Sequence, residues 1–117
     1  MPFARTDIPE TVSKGLSYYR SIQFLDTGRA LWRIPDKWPV DIHNQSQGII
    51  TFSILEKYGT DYLSFACKIA DWTIKNMQSD KGYFYYRKNP LYINKIPFMR
   101  WSQAWMMLAL AELIPHE

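Results

Sequence analysis

The stretch "WSQAWMMLALAEL", residues 101–113, carries apolar side chains on nearly every side of a helix, with Glu112 as its one charged residue. A helix with a single apolar stripe can lie on a surface, whereas one without a polar face must be covered on several sides. Working outward, "GIITFSIL" at 48–55 is of the same kind. The two segments that precede these runs read differently. In the segment from Thr60 to Gln78, Tyr62, Phe65, Ala66, Ile69, Thr73 and Met77 recur at helical spacing, while Lys68, Asp71 and Lys75 fall on other faces. The segment from Pro9 to Leu25 is also amphipathic. Pro9 suits a first helical turn, Glu10 complements the positive end of the helix, and Asp26 to Gly28 form a stop. The expectation is an all-α chain with helices near 9–25, 44–58, 60–78 and 98–114, ordered outer, inner, outer, inner.

An internal repeat supports that order. "LDTGRALWR" matches "QSDKGYFYYR", with Asp26 and Asp80, Gly28 and Gly82, Trp32 and Tyr86, and Arg33 and Arg87 each 54 residues apart. "NQSQGII" then matches "RWSQAWM", placing Ser46 on Ser102 and Gln47 on Gln103 at a spacing of 56. Residues 1–117 therefore read as a single domain of two units of about 55 residues. Each unit is an outer helix, a D-x-G turn, an extended aromatic segment, a proline-containing loop and an inner helix. The Asp and Gly of D-x-G are turn formers. Pro35, Pro39, Pro90 and Pro97 keep the loops from continuing a helix. "GYFYYR" has the composition of a short strand, so a small β-hairpin within the loops is expected. Loops of this length are often functional.

Composition narrows the function classes. Hydrophobic residues make up 47% and charged residues 21%, a globular balance. The net charge of +3 is scattered along the chain, which argues against nucleic acid as a partner. One cysteine, Cys67, excludes an internal disulfide. The N-terminal "MPFARTDIPE" lacks the apolar stretch of a secretory signal, and "AWMMLALA" at 104–111 is too short to span a bilayer. A cytoplasmic protein with no membrane association is the expectation. No metal-ligand spacing and no phosphate-cradling glycine loop occur, so neither metal nor cofactor is expected. Aromatics stand out at 16%. They build core, and they also form platforms for flat or sugar-like ligands.

Three motifs, "WPVDIHNQSQG" at 38–48, "NMQSDKGYFYYRK" at 76–88 and "FMRWSQAWMMLALAEL" at 98–113, resemble the C-terminal part of an uncharacterised bacterial (α/α) toroid family. That family is similar to the six-hairpin glycosidase-like superfamily. The likeness runs from about Lys14 onward. It implies alternating outer and inner helices and a funnel lined by the loops that enter the inner helices. The wider superfamily includes glycoside hydrolases, polysaccharide lyases and sugar epimerases, so the resemblance implies a carbohydrate-handling chain, with one of these activities if it is an enzyme. A toroid of that superfamily closes on six hairpins and this chain carries two, so self-association or an N-terminal partner region is expected to cover the inner helices.

Within that frame Asp41 and His43 precede an inner helix, where a carboxylate and an imidazole can exchange protons. The competing reading makes Asp41 or Asn44 the helix cap. Arg100, placed unfavourably near a helix N-terminus, is expected to pair with a carboxylate such as Asp41 or to hold an anionic ligand, and it completes the candidate catalytic set. Trp32, Trp38, Tyr83, Tyr85 and Trp101 are candidate stacking surfaces, and Gln47 and Gln103 candidate hydrogen-bonding groups for sugar hydroxyls or loop backbone. Alternation along a strand puts Tyr83 and Tyr85 on one face, with Phe84 and Tyr86 on the other. Two function classes stay open: a carbohydrate-handling protein using these residues, and a non-catalytic structural or protein-interaction module in which they cap helices and pair internally.

Overall fold

A computed structural model describes residues 7–32, 36–59, 61–96 and 103–114 of the 117-residue chain. The chain is predominantly helical, with helices α1 (Asp7–Ile22), α2 (Ile42–Ile54), α3 (Tyr62–Met77) and α4 (Trp105–Leu113). The second expected helix, over 44–58, is split at Leu55, with a 3₁₀ turn at Glu56–Tyr58 completing it. The first helix stops three residues earlier than Leu25, because Phe24 already pairs with Ala30 in an extended bridge. The first residues of the expected fourth helix, 98–102, lie outside the described residues.

Between the helices sits a three-stranded antiparallel sheet in the order β1 (Val40–Asp41), β2 (Arg87–Lys88), β3 (Ile93–Asn94). The expected loop hairpin is thus β2–β3, at the end of "GYFYYR" rather than along it. It also gains β1 from the loop of the other repeat. Among the described residues, no helix is long and apolar enough to cross a membrane.

The inner helix α2 is the centre of the molecule, packed against both α3 and α4. Its core partners are largely aromatic. Phe52 stacks on Tyr19 with ring centroids 5.2 Å apart and meets the rings of Phe24, Tyr62 and Phe65 at 5.7, 5.3 and 5.3 Å. Edge-to-face and offset contacts at these separations add to the apolar area that the rings bury. Much of the aromatic excess therefore builds core. Tyr19 anchors α1 here, and burial pushes its phenol up to about 12.

The repeat is visible in the backbone. Phe24 bridges Ala30 and Gln78 bridges Phe84. The Leu25 and Ser79 amides donate to the Arg29 and Tyr83 carbonyls, and the Gly28 and Gly82 amides to the Leu25 and Ser79 carbonyls. Both glycines hold positive φ, 94° and 102°. This backbone disfavours any residue with a Cβ, which explains the paired glycines.

Candidate functional site

Asp41 ends β1 and is also the N-cap of α2, where one carboxylate oxygen (Oδ1) accepts from the His43 amide at 2.8 Å. The sheet register sets Asp41 opposite Arg87. Its other oxygen (Oδ2) accepts from Arg87 Nε, also at 2.8 Å. The Asp41 side chain is 7% exposed. Both oxygens are therefore committed, one to a helix end and one to a guanidinium. A charge this buried needs such partners. The arginine expected beside Asp41 was Arg100, which lies outside the described residues together with Trp101. The partner seen is Arg87, brought 46 residues across the chain by the sheet. The Arg87 guanidinium also sits 4.6 Å from the ring centres of Trp32 and Tyr86, close enough for cation–π attraction.

Around this pair lies a trough at the N-terminal end of α2. One cavity of about 300 Å³ is lined by Trp32, Asp41, His43, Asn44 and Tyr86. A second of about 260 Å³ shares Trp32, His43 and Asn44 and adds Tyr19, Gln23 and Gln47 among others. His43 is exposed and its ring meets Trp105 of α4 edge-on at 5.6 Å. Asn44 donates to the Leu31 carbonyl at 3.4 Å. The trough combines an indole, an imidazole, three amide side chains and a paired carboxylate, a set suited to stacking and hydrogen bonding with a polar ring.

The structure brings Trp32, Asp41, His43 and Gln47 together and leaves others elsewhere. Trp38 is covered by the Arg29 guanidinium, 3.9 Å from its ring centre. Burial lowers the pKa of that guanidinium from its ordinary value. Tyr83 and Tyr85 share a face as expected, with ring centroids 5.9 Å apart, while Phe84 is buried. That face is not part of the trough lining. Gln103 is a backbone clamp. Its Oε1 accepts from the Phe84 amide at 3.0 Å and its Nε2 donates to the Phe84 carbonyl at 2.8 Å.

Gln45 is the residue that sequence reasoning passed over. It is fully buried, accepts from the Ala30 amide at 2.6 Å, and donates to the Gly28 carbonyl and the Thr73 hydroxyl at 3.1 and 2.9 Å. Ala30 and Phe84 are repeat equivalents, so the counterpart of Gln103 is Gln45 and not Gln47. Residue identity favours Gln47, because Ser46–Gln47 matches Ser102–Gln103. Two residues on a helix are 200° apart, so the choice decides between a buried clamp and an exposed side chain. Gln47 is exposed and donates to Thr51 Oγ1 at 3.3 Å.

Among the described residues, no cluster of three or more His, Cys, Asp or Glu side chains is arranged to hold a metal ion. Comparison with family models, with curated proteins and with solved structures found no significant match, so the trough itself is the ground for any functional reading.

Proposed function

We propose that this chain is a carbohydrate-handling protein built as two hairpins of an (α/α) toroid, and that the trough at the start of α2 takes a sugar ring. The observation that carries the reading is the convergence of Trp32 with His43, Asn44 and Gln47 in two adjoining cavities. An aromatic surface offers the C–H face of a sugar somewhere to rest, and the amides and imidazole offer its hydroxyls partners. Binding is favoured over bond cleavage. Glycoside hydrolysis ordinarily uses two carboxylates flanking the scissile bond. Among the described residues Asp41 is the one carboxylate that lines the trough, and both of its oxygens already hold structural partners.

The test is titration of the protein with a panel of neutral and acidic oligosaccharides, followed by tryptophan fluorescence and calorimetry. Saturable binding that falls at least about tenfold in Trp32→Ala, with folding intact, is the expected result. Binding by no member of the panel, or undiminished binding in Trp32→Ala and His43→Ala, defeats the reading. The second reading, a non-catalytic structural or interaction module, is favoured by a specific observation: Asp41, Gln45 and Gln103 all spend their polar atoms on the chain's own backbone and side chains.

A further inference from the structure

Asp41, Arg87 and Asn94 stand opposite one another in the register of the three strands. Directly opposed residues of antiparallel strands send their side chains to the same face. One face of the sheet therefore carries a polar row that starts at Asp41, in the trough lining, and continues across the hairpin. Arg87 is the member of that row with donors to spare. Its guanidinium is a planar fork of five N–H groups. Among the described residues its hydrogen-bond partner is Asp41, on Nε, which leaves the N–H groups of both Nη atoms for a ligand. The side chain is 33% exposed, so solvent reaches it. Asp41 and the rings of Trp32 and Tyr86, all three in the trough lining, hold the guanidinium in place before any ligand arrives. A group fixed in advance loses little freedom on binding.

The surrounding charge favours an anion. From Lys81 to Ile96 the chain has four basic residues and no acidic one. Asp41 offsets one of these charges. Lys88 falls on the opposite face of the sheet, where it donates to the neutral Asn76 amide oxygen. We infer that the sugar seated in the trough is a uronate, whose carboxylate is bound by the Nη groups of Arg87. This rests on the sugar reading above and names its ligand class. The guanidinium lies 4.6 Å from the centre of the Trp32 ring, so a carboxylate on the rim of a sugar resting against that ring comes within hydrogen-bond reach of the fork. Arginine suits this task better than lysine, because its parallel N–H donors match the two oxygens of a carboxylate.

The test is calorimetric titration at neutral pH with trimers of galacturonate and of glucuronate, each beside its methyl ester, which keeps the ring and removes the charge. The native protein is expected to bind one of the acids at least about tenfold more tightly than its ester. Arg87→Lys keeps a cation for Asp41 but loses the fork, and should bring that ratio below about threefold. Lys88→Ala, on the opposite face, should leave the ratio at its native value. Circular dichroism checks that both variants fold; if Arg87→Lys does not, the ratios of the native protein and of Lys88→Ala decide. An ester bound as tightly as its acid, a preference that survives in Arg87→Lys, or one lost equally in Lys88→Ala overturns the uronate assignment and leaves the sugar reading standing. Binding of neutral oligosaccharides with no uronate bound does the same. Binding of no sugar, charged or neutral, removes both.

Discussion

Replacing Gln45 probes the geometry most directly. In Gln45→Ala the buried Ala30 amide and the Gly28 carbonyl lose their side-chain partner. The Thr73 hydroxyl is better placed, because it still donates to the Ile69 carbonyl at 2.7 Å. A stranded buried backbone group costs about 1–3 kcal/mol. Two such groups, with a small cavity added, give a loss of about 3–5 kcal/mol. Against a typical domain stability of about 5–15 kcal/mol, that is a large fraction. Gln45→Leu keeps most of the volume, so it should retain about 2–4 kcal/mol of the effect and separate the polar loss from the cavity. Gln47→Ala, at an exposed position, should stay within about 0.5 kcal/mol of the native chain. Urea denaturation followed by circular dichroism measures all three. If Gln45→Ala lies within 0.5 kcal/mol of the native protein, or Gln47→Ala costs more than Gln45→Ala, the clamp is misassigned and the 58-residue register of the inner helices fails with it.

Other consequences follow from the same contacts. Asp41→Ala removes a cap and one partner of a largely buried ion pair, and thermal melting should report a loss of about 2–4 kcal/mol; a cost near zero would return Asp41 to the list of free catalytic candidates. Gly28→Ala and Gly82→Ala share backbone strain, of about 1–2 kcal/mol. Only Gly28→Ala adds a collision, its new Cβ meeting the Lys68 carbonyl oxygen at 2.7 Å, so it should be clearly the worse of the two in parallel denaturation curves. The Tyr19 phenol is pushed up to about 12 by burial, above its unfolded value of 10.0. Its contribution is complete below the unfolded value and is lost as pH rises through the folded one. Stability should therefore drop by roughly 1.4 kcal/mol per unit across that interval. Tyr19→Phe should flatten this alkaline slope, and an unchanged slope would place the titrating group elsewhere.

The sequence by itself determined the helical class, the alternation of helix types and the turns between them. Those features rest on local periodicity and on residues such as Gly28 and Gly82, whose backbone requirement is written into a few neighbouring positions. It also announced that residues 104–111 needed cover, since hydropathy alone shows a helix lacking a polar face. What the tertiary structure decided is which partner each polar group takes. Asp41 meets Arg87 because two short strands from different repeats align, a long-range register that no local pattern encodes. Gln45 and Gln47 look alike in the sequence, and only the path of the Gly28–Ala30 backbone past α2 selects the buried one. The same holds for the trough. Trp32, His43 and Gln47 converge, while Trp38 and Tyr85 are drawn off to Arg29 and Lys95, because loop packing rather than residue type sets where an aromatic ring lies.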